Sequence, residues 1–356
     1  MRPSLRSVAA AAGVSAMTVS RVLRNQPSIS APLRAKVLKA VRTSGYTPDP
    51  QVAKLMHHLR TRRKPAFEAA ICALTTRGPE APAHFYFEGI ANGSAQHAKA
   101  AGFSFSTLQI GTTPESWRAL PRILHSRGVE GVILLPMFLP IALDGLLDWD
   151  DFSVVAASLS VLSPQLHAAQ PHHFRNARLL VERVSALGYR RIGVVANFEQ
   201  TQRTNHSLNA AVIWHELLHQ GNFVPPLLFS GAAPANLEEW YRREQPDVIV
   251  THVPRLCHAF AARLGLAIPG PVGFVSANAK PGAEIAGINE RPHDVGVTAV
   301  DLLASLIHRG IRGIPALPTT THVPGHWIDA ASCPPRSPVA TKSASPAKFP
   351  AVYLEK

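Results

Sequence analysis

The sequence predicts two unlike folding units in tandem, a small all-α head followed by a larger α/β domain built on parallel sheets. Three observations carry this. The first 45 residues hold three short helical patterns punctuated by Gly13 and Gly45. From Ala69 onward, short apolar runs alternate with helical stretches, the texture of strands covered on both faces. The charge is also segregated: 13 of the 36 lysines and arginines lie in residues 1–64 against a single acid, Asp49, so almost the whole formal net charge of +13 belongs to that stretch.

The chain of 356 residues is longer than one core usually organises and has ample sequence to bury cores without staples. Cys72, Cys257 and Cys333 are far apart with no CxxC, which argues against a disulfide framework or thiolate zinc site and fits a reducing cytoplasm. The most apolar stretch, Gly131 to Leu147, is broken by Pro136, Pro140 and Asp144, short of the roughly 18 apolar residues of a membrane span. No secretory signal precedes the first helix. A basic head calls for a polyanion partner, and residues 1–45 contain no aromatic to anchor in a bilayer, so nucleic acid is favoured over a membrane surface.

Element by element, Ser4 can cap a helix with Leu5, Val8, Ala9 and Ala12 on one face, and Gly13 supplies the backbone freedom for a sharp turn. Ser15 can cap a second helix, Ala16 to Leu23, with Val19, Val22 and Leu23 inward. Ser30 caps a third, with Pro32 near its start and Leu33, Val37, Leu38 and Val41 closing a small core. Helix, glycine turn, helix is the helix-turn-helix arrangement, which lays its second helix in the DNA major groove. Asp49-Pro50 then reads as a cap and first-turn proline, opening a short helix to about Arg60 that is too short to be stable alone. The head with this helix (about 49–60) takes residues 1–60, and 61–68 form a linker.

The run VAAAAGVSAMTVSRVL, Val8 to Leu23, resembles the N-terminal domain of lactose-repressor-type (LacI/GalR) transcription regulators. The resemblance implies that Ala16, Met17 and Arg21 read base edges. Chemically, Arg21 can grip guanine with two hydrogen bonds, whereas Ala16 and Met17 offer only apolar contact, for example to a thymine methyl. Met17 has a second available role in the core, and Arg21 that of a solvated surface arginine. Ser15, Thr18, Ser28 and Ser30 are placed for phosphate contacts. Arg24 stands where the family commonly has asparagine and adds a further candidate phosphate contact. The resemblance makes the 49–60 helix a hinge that forms on DNA in a dimer and wedges Leu55, with its neighbour Met56 as the alternative, into the minor groove. Leu55 with Met56 and Leu59 would equally make an apolar dimer seam, and the two roles coexist.

In the large domain, residues 69–333, strands are expected near 69–74, 103–109, 131–135, 153–157, 191–196, 225–229, 247–251, 271–276 and 285–288. Helices are expected near 85–101, 114–127, 174–187, 206–220, 235–244, 255–265 and 293–309. Such alternation suits two doubly wound lobes with a crevice between them. The segments GVEGVILLP ending at Pro136, ALGYRRIGVV from Ala186, PDVIV from Pro246 and the GINERPHDVGVTAVDLL segment keep the order of the same family. The resemblance implies a two-lobed periplasmic-binding-protein-like domain that binds a small effector and dimerises. The first lobe would take roughly 69–160 plus 290–318, and the second the rest to about Ser332. Residues 334–356 read by composition as a mobile tail.

Candidate effector contacts are His84, Tyr86, Arg203 and Asn278, with Trp214 as a further aromatic; each has the alternative of an ordinary surface or core residue. Ser207 stands where relatives often carry a second arginine. His215-Glu216-Leu217-Leu218-His219 matches the HExxH zinc motif, but Gly221 comes too early for the extended form and no third histidine follows, so an amphipathic helix is the favoured reading. His172-His173 are adjacent and share no helical face. GxxxxGK, GxGxxG and GxSxG are all missing from the sequence. The expectation is therefore a cytoplasmic homodimeric repressor, not an enzyme and without cofactor, which binds a pseudo-palindromic DNA operator under control of a sugar-like effector. The alternatives are a ligand-independent architectural DNA binder and a zinc hydrolase built on residues 215–219.

Overall fold

The structure, a computed structural model, describes residues 5–15, 18–19, 22, 29–44, 69–78, 80–81, 84–137, 140–219 and 223–336. In the head, α1 (Leu5–Ala12) ends at Gly13, whose φ of +62° lets the amides of Gly13 and Val14 return to the carbonyls of Ala10 (3.2 Å) and Ala9 (3.0 Å). A helical stretch containing Thr18, Val19 and Val22 follows, then α2 (Ala31–Ser44). Val8, Ala9, Ala12, Val19, Val22 and Val37 form the core, with Leu33 and Val41 packed at its edge. Leu38, expected inside, is 38% exposed. It follows the buried Val37 by one position, which turns it about 100° around the helix.

The first lobe is laid down as β1 (Ala70–Thr75), α3 (Phe85–Ala100), β2 (Ser104–Gln109), α4 (Pro114–Trp117), α5 (Leu120–Ser126), β3 (Val129–Leu134), β4 (Ile141–Ala142), β5 (Ser153–Ala156), β6 (Val161–Ser163) and β7 (His167–Pro171). The chain then builds the second lobe with α6 (His173–Ala186), β8 (Ile192–Asn197), α7 (Phe198–Arg203), α8 (Ser207–His219), β9 (Leu227–Phe229), α9 (Leu237–Glu244), β10 (Val248–Thr251), α10 (Pro254–Leu264), β11 (Gly273–Ser276) and β12 (Ala286–Asn289). It returns through α11 (Pro292–Arg309) and β13 (Thr320–Val323), and ends the second lobe with β14 (His326–Ile328).

The first sheet has the order β13-β7-β5-β3-β1-β2 and is parallel throughout. The second has the order β14-β12-β11-β10-β8-β9, parallel except for the antiparallel β12–β14 pair. Each sheet is covered on both faces by apolar clusters, which is why its strands read as near-continuous apolar runs. The chain crosses between lobes at 171–173, 289–292 and 323–326. β7 and β13 join the first sheet, so the crossovers fall later than residues 160 and 318. The β7 sequence, His-Ala-Ala-Gln-Pro, holds no β-branched residue and carries no strand signal. The single helix expected over 114–127 divides in two, with Pro121 unable to donate across the break.

In the first lobe α3 and α11 approach so closely that a Cβ on Gly93 would collide with the His293 carbonyl oxygen, and one on Gly296 with that of Ile90. The buried Ser94 hydroxyl donates to the Gly296 carbonyl across this seam (3.3 Å). At the end of the second lobe, residues assigned by composition to a mobile tail are held. Tyr189 donates to the Pro334 carbonyl (3.0 Å). Arg336 donates to Asp247 (2.9 Å) and the Pro271 carbonyl (2.6 Å), with its guanidinium over the Tyr189 ring. Backbone bonding and ring stacking here outweigh the Pro- and Ser-rich composition. Residues 337–356 lie outside the described ones.

Candidate nucleic-acid interface and interlobe ligand site

In the head, the Ser15 hydroxyl accepts from the Thr18 amide (3.1 Å) and pairs with the Thr18 hydroxyl (2.9 Å), while the Ser15 carbonyl accepts from Val19 (3.1 Å). This N-cap fixes where the second helix starts and leaves Ser15 exposed at its end. The Ser30 carbonyl takes the Arg34 amide (2.9 Å) at the start of α2, which exposes Lys36, Lys39 and Arg42 to solvent. Ala16, Met17, Arg21, Arg24, Ser28 and Leu55, the residue expected in the hinge, lie outside the described residues.

A cavity opens between the lobes where loops leave the carboxyl ends of the parallel strands. It is lined by Tyr86 and Ser158 from the first lobe, by Arg203, Ser207, His252 and Asn278 from the second, and by His173, Asn176 and Glu290 beside the crossovers. Three of the four residues singled out from sequence, Tyr86, Arg203 and Asn278, thus meet in one lining. His84 stands at the start of α3 and is not part of the lining, although the Arg203 charge reaches it. Trp214 is 48% exposed and does not line the cavity. Asn176, His173, His252 and Glu290 were missed. Each sits within five residues of an expected strand or at an expected helix start, and that adjacency was the available signal.

The geometry is polar and pre-tied. His173 Nδ1 lies 3.0 Å from Glu290 Oε1, with only 14% and 11% of the two side chains exposed, so the pair joins two crossovers. Asn176 Oδ1 accepts from the Gly325 amide (2.8 Å) and joins the third. Arg203 donates Nη1 to the Met137 carbonyl (3.3 Å), from the second lobe to the first. Burial, then the nearby Arg203 and His173, pull His252 from 6.5 down to about 4, which leaves it neutral at physiological pH. Burial pushes the Tyr86 phenol up, so it remains a donor. Burial first, then Arg77, Arg255 and Arg203, lower His84. Among the described residues, the buried atoms Asn176 Nδ2, Asn278 Oδ1 and His252 Nδ1 have no hydrogen-bond partner. Buried polar atoms without partners at a cavity wall are groups that a ligand can satisfy.

The HExxH stretch forms part of α8. Glu216 is buried there and His215 Nε2 lies 3.0 Å from the Ser185 hydroxyl of α6. Among the described residues no three His, Cys, Asp or Glu side chains cluster closely enough to hold a metal ion, and the His219 side chain lies outside those residues. No helix of the described residues is long and apolar enough to cross a membrane.

Residues 4–49 match the family described as bacterial regulatory proteins, lacI family. The chain is 28% identical over 233 residues to the HTH-type transcriptional regulator CelR of Thermobifida fusca, covering 62% of this chain and 66% of CelR. It is 30% identical over 192 residues to the sucrose operon repressor of Escherichia coli, covering 52% of this chain and 53% of that repressor. The matched region therefore spans just under two thirds and about half of these relatives' lengths. Among solved structures, the lac repressor dimer bound to operator and the anti-inducer ONPF aligns with a TM-score of 0.56 at 17% identity, over 94% of this chain and 100% of that one. The CelR–cellobiose complex aligns with a TM-score of 0.53 at 20% identity, over 93% of this chain and 100% of that one. Both share the arrangement of a helical head and a two-lobed α/β domain.

Proposed function

We propose, from the match of residues 4–49 to the lacI family of bacterial regulatory proteins, that the chain is a cytoplasmic homodimeric repressor of that family, not an enzyme, that binds a pseudo-palindromic DNA operator. A small sugar or sugar derivative in the interlobe cavity controls that binding. The observation that carries this reading is the pairing, in one chain, of a basic helix-turn-helix head with a cleft whose wall holds unpartnered buried polar atoms. In the head, Arg21 reads a guanine and Ala16 and Met17 make apolar contacts. Ser15, Thr18, Arg24, Ser28 and Ser30 hold phosphates, and Leu55 enters the minor groove from the hinge.

The cleft supplies the control. Tyr86 belongs to one lobe and Arg203, His252 and Asn278 to the other, so a ligand touching all four binds one relative placement of the lobes better than another. That differential affinity is what shifts the population, and the paired hinge helices between cleft and head transmit it. Selection from a random duplex pool tests the reading. The recovered sites are expected to be two inverted half-sites with a guanine at the position that Arg21→Ala renders indifferent. Recovery of no common sequence would overturn sequence-specific regulation in favour of architectural binding.

A further inference from the structure

We propose that the outer face of α8 is a docking surface and that its occupant is the chain's own segment 349–354, Phe-Pro-Ala-Val-Tyr-Leu, folded back onto it. The four exposed residues of α8 among those described are Ala210, Ile213, Trp214 and Leu217. Their spacing of three and four places them on one face of the helix. Leu217 is 67% exposed, and Ile213 and Trp214 are each close to half exposed. Single exposed apolar residues are ordinary, but a surface helix turns polar groups outward, and this one turns out an unbroken apolar stripe. Its opposite face is already occupied: Leu208, Ala211 and Val212 enter the core of the second lobe, and Ser207 and Leu208 reach the cleft lining. The stripe is therefore surplus to the fold of the lobe, and a contiguous exposed patch that includes a tryptophan marks an interaction surface.

The chain leaves the described structure beside this helix. The Arg336 amide donates to the Leu187 carbonyl at the C-terminal end of α6 (2.8 Å). Two residues before Leu187, the Ser185 hydroxyl lies 3.0 Å from His215 Nε2 of α8. The departure point of the tail and the C-terminal half of α8 thus flank the same end of α6.

Composition supplies the occupant. Residues 337–348, Ser-Pro-Val-Ala-Thr-Lys-Ser-Ala-Ser-Pro-Ala-Lys, hold no aromatic, leucine or isoleucine. The next six carry no charge and include Phe349, Val352, Tyr353 and Leu354. Twelve intervening residues reach about 40 Å when extended and α8 is about 20 Å long, so the whole stripe lies within range. A tether of this kind holds its end at an effective concentration of about 1 mM, so a contact with a dissociation constant of about 0.1 mM keeps the segment docked about ten to one. A partner protein or a second copy arriving from solution lacks that advantage. Docking takes Trp214 and Leu217 out of water together with the aromatic and aliphatic groups of the segment.

The test uses the full chain and needs neither operator nor effector. In hydrogen exchange, the amides of 351–354 are expected to be slowed about tenfold relative to a free peptide of the same sequence, and Leu217→Glu to release them. Leu217 is exposed, so the substitution leaves the core intact, which an unaltered urea transition checks. Proximity is read by combining Leu217→Cys in turn with Phe349→Cys, Val352→Cys and Leu354→Cys and oxidising with copper phenanthroline. Cys72, Cys257 and Cys333 are buried and do not compete. At least one pair is expected to form a bridge within a single chain, seen as a linked α8 and tail peptide at the mass of one chain. Bridges only between two chains overturn the proposal and make a second copy the occupant. Tail amides that exchange like a free peptide's, protection that survives Leu217→Glu, or no bridge in any of the three pairs also overturns it, and leaves the stripe to a different partner.

Discussion

At the scale of single residues, Arg21 and His252 make opposite uses of charge. Arg21 is proposed to keep its charge and use its planar fork on a guanine, so Arg21→Ala is expected to cost about 1–3 kcal/mol of operator affinity and relax specificity at one base pair. Affinity lost evenly over all sequences would instead mark a phosphate contact. His252 is held neutral inside the second lobe. Its value falls from 6.5 in the unfolded chain to about 4 in the fold, so the unfolded state binds the proton more readily. The stability it contributes is fully present above about 6.5 and is lost as pH falls from there toward about 4. Melting temperature is expected to drop across that window, and His252→Asn to flatten the drop; an unaltered pH profile in the variant would exclude His252 as its source. Tyr86, Arg203 and Asn278 could be picked out because each follows a recognisable strand or opens a helix. Asn176, His173 and Glu290 have the same adjacency to expected strands and helix starts, but that they meet depends on where three crossovers pack, which periodicity along one segment does not encode.

At the scale of elements, the helix limits in the large domain follow from residues visible in the chain. Gly265 and Gly310 end α10 and α11 with φ of +65° each, and Pro254 and Pro292 open them. The short strands β7 and β13 escaped because His-Ala-Ala-Gln-Pro and Thr-Thr-His-Val carry too little alternation or apolar length to stand out; β7 is a strand by pairing between β5 and β13, and β13 by pairing with β7 at the edge of the first sheet. The seam of α3 and α11 depends on small residues, Gly93, Ser94 and Gly296 among them. Gly296→Val would place its Cβ against the Ile90 carbonyl and is expected to cost about 1–3 kcal/mol by urea unfolding. Unchanged stability would mean that the helices can part without loss. In the hinge, Leu55→Ala is expected to weaken specific binding and reduce DNA bending, read by the mobility of circularly permuted duplexes. A bend unaltered by the substitution would return Leu55 to a dimer seam.

At the scale of the molecule, charge is partitioned between the two units, with the head carrying nearly all of the net +13 and the α/β domain close to neutral. Such a head predicts steep salt dependence, with about 10³–10⁵ of affinity lost between 50 and 200 mM salt for 6–10 phosphate contacts. A shallow slope would contradict a phosphate-anchored interface. The two lobes joined by three crossovers, tied by polar contacts at His173, Glu290 and Asn176, are the part proposed to move. The decisive experiment is the affinity of the full chain for its selected operator, measured by fluorescence anisotropy with the cleft empty and with it saturated by a sugar shown to bind there. A change of at least tenfold in operator affinity, abolished when Asn278 and Arg203 are replaced together, is the expected result. An operator affinity indifferent to a saturated cleft would contradict the proposal that the α/β domain governs the head.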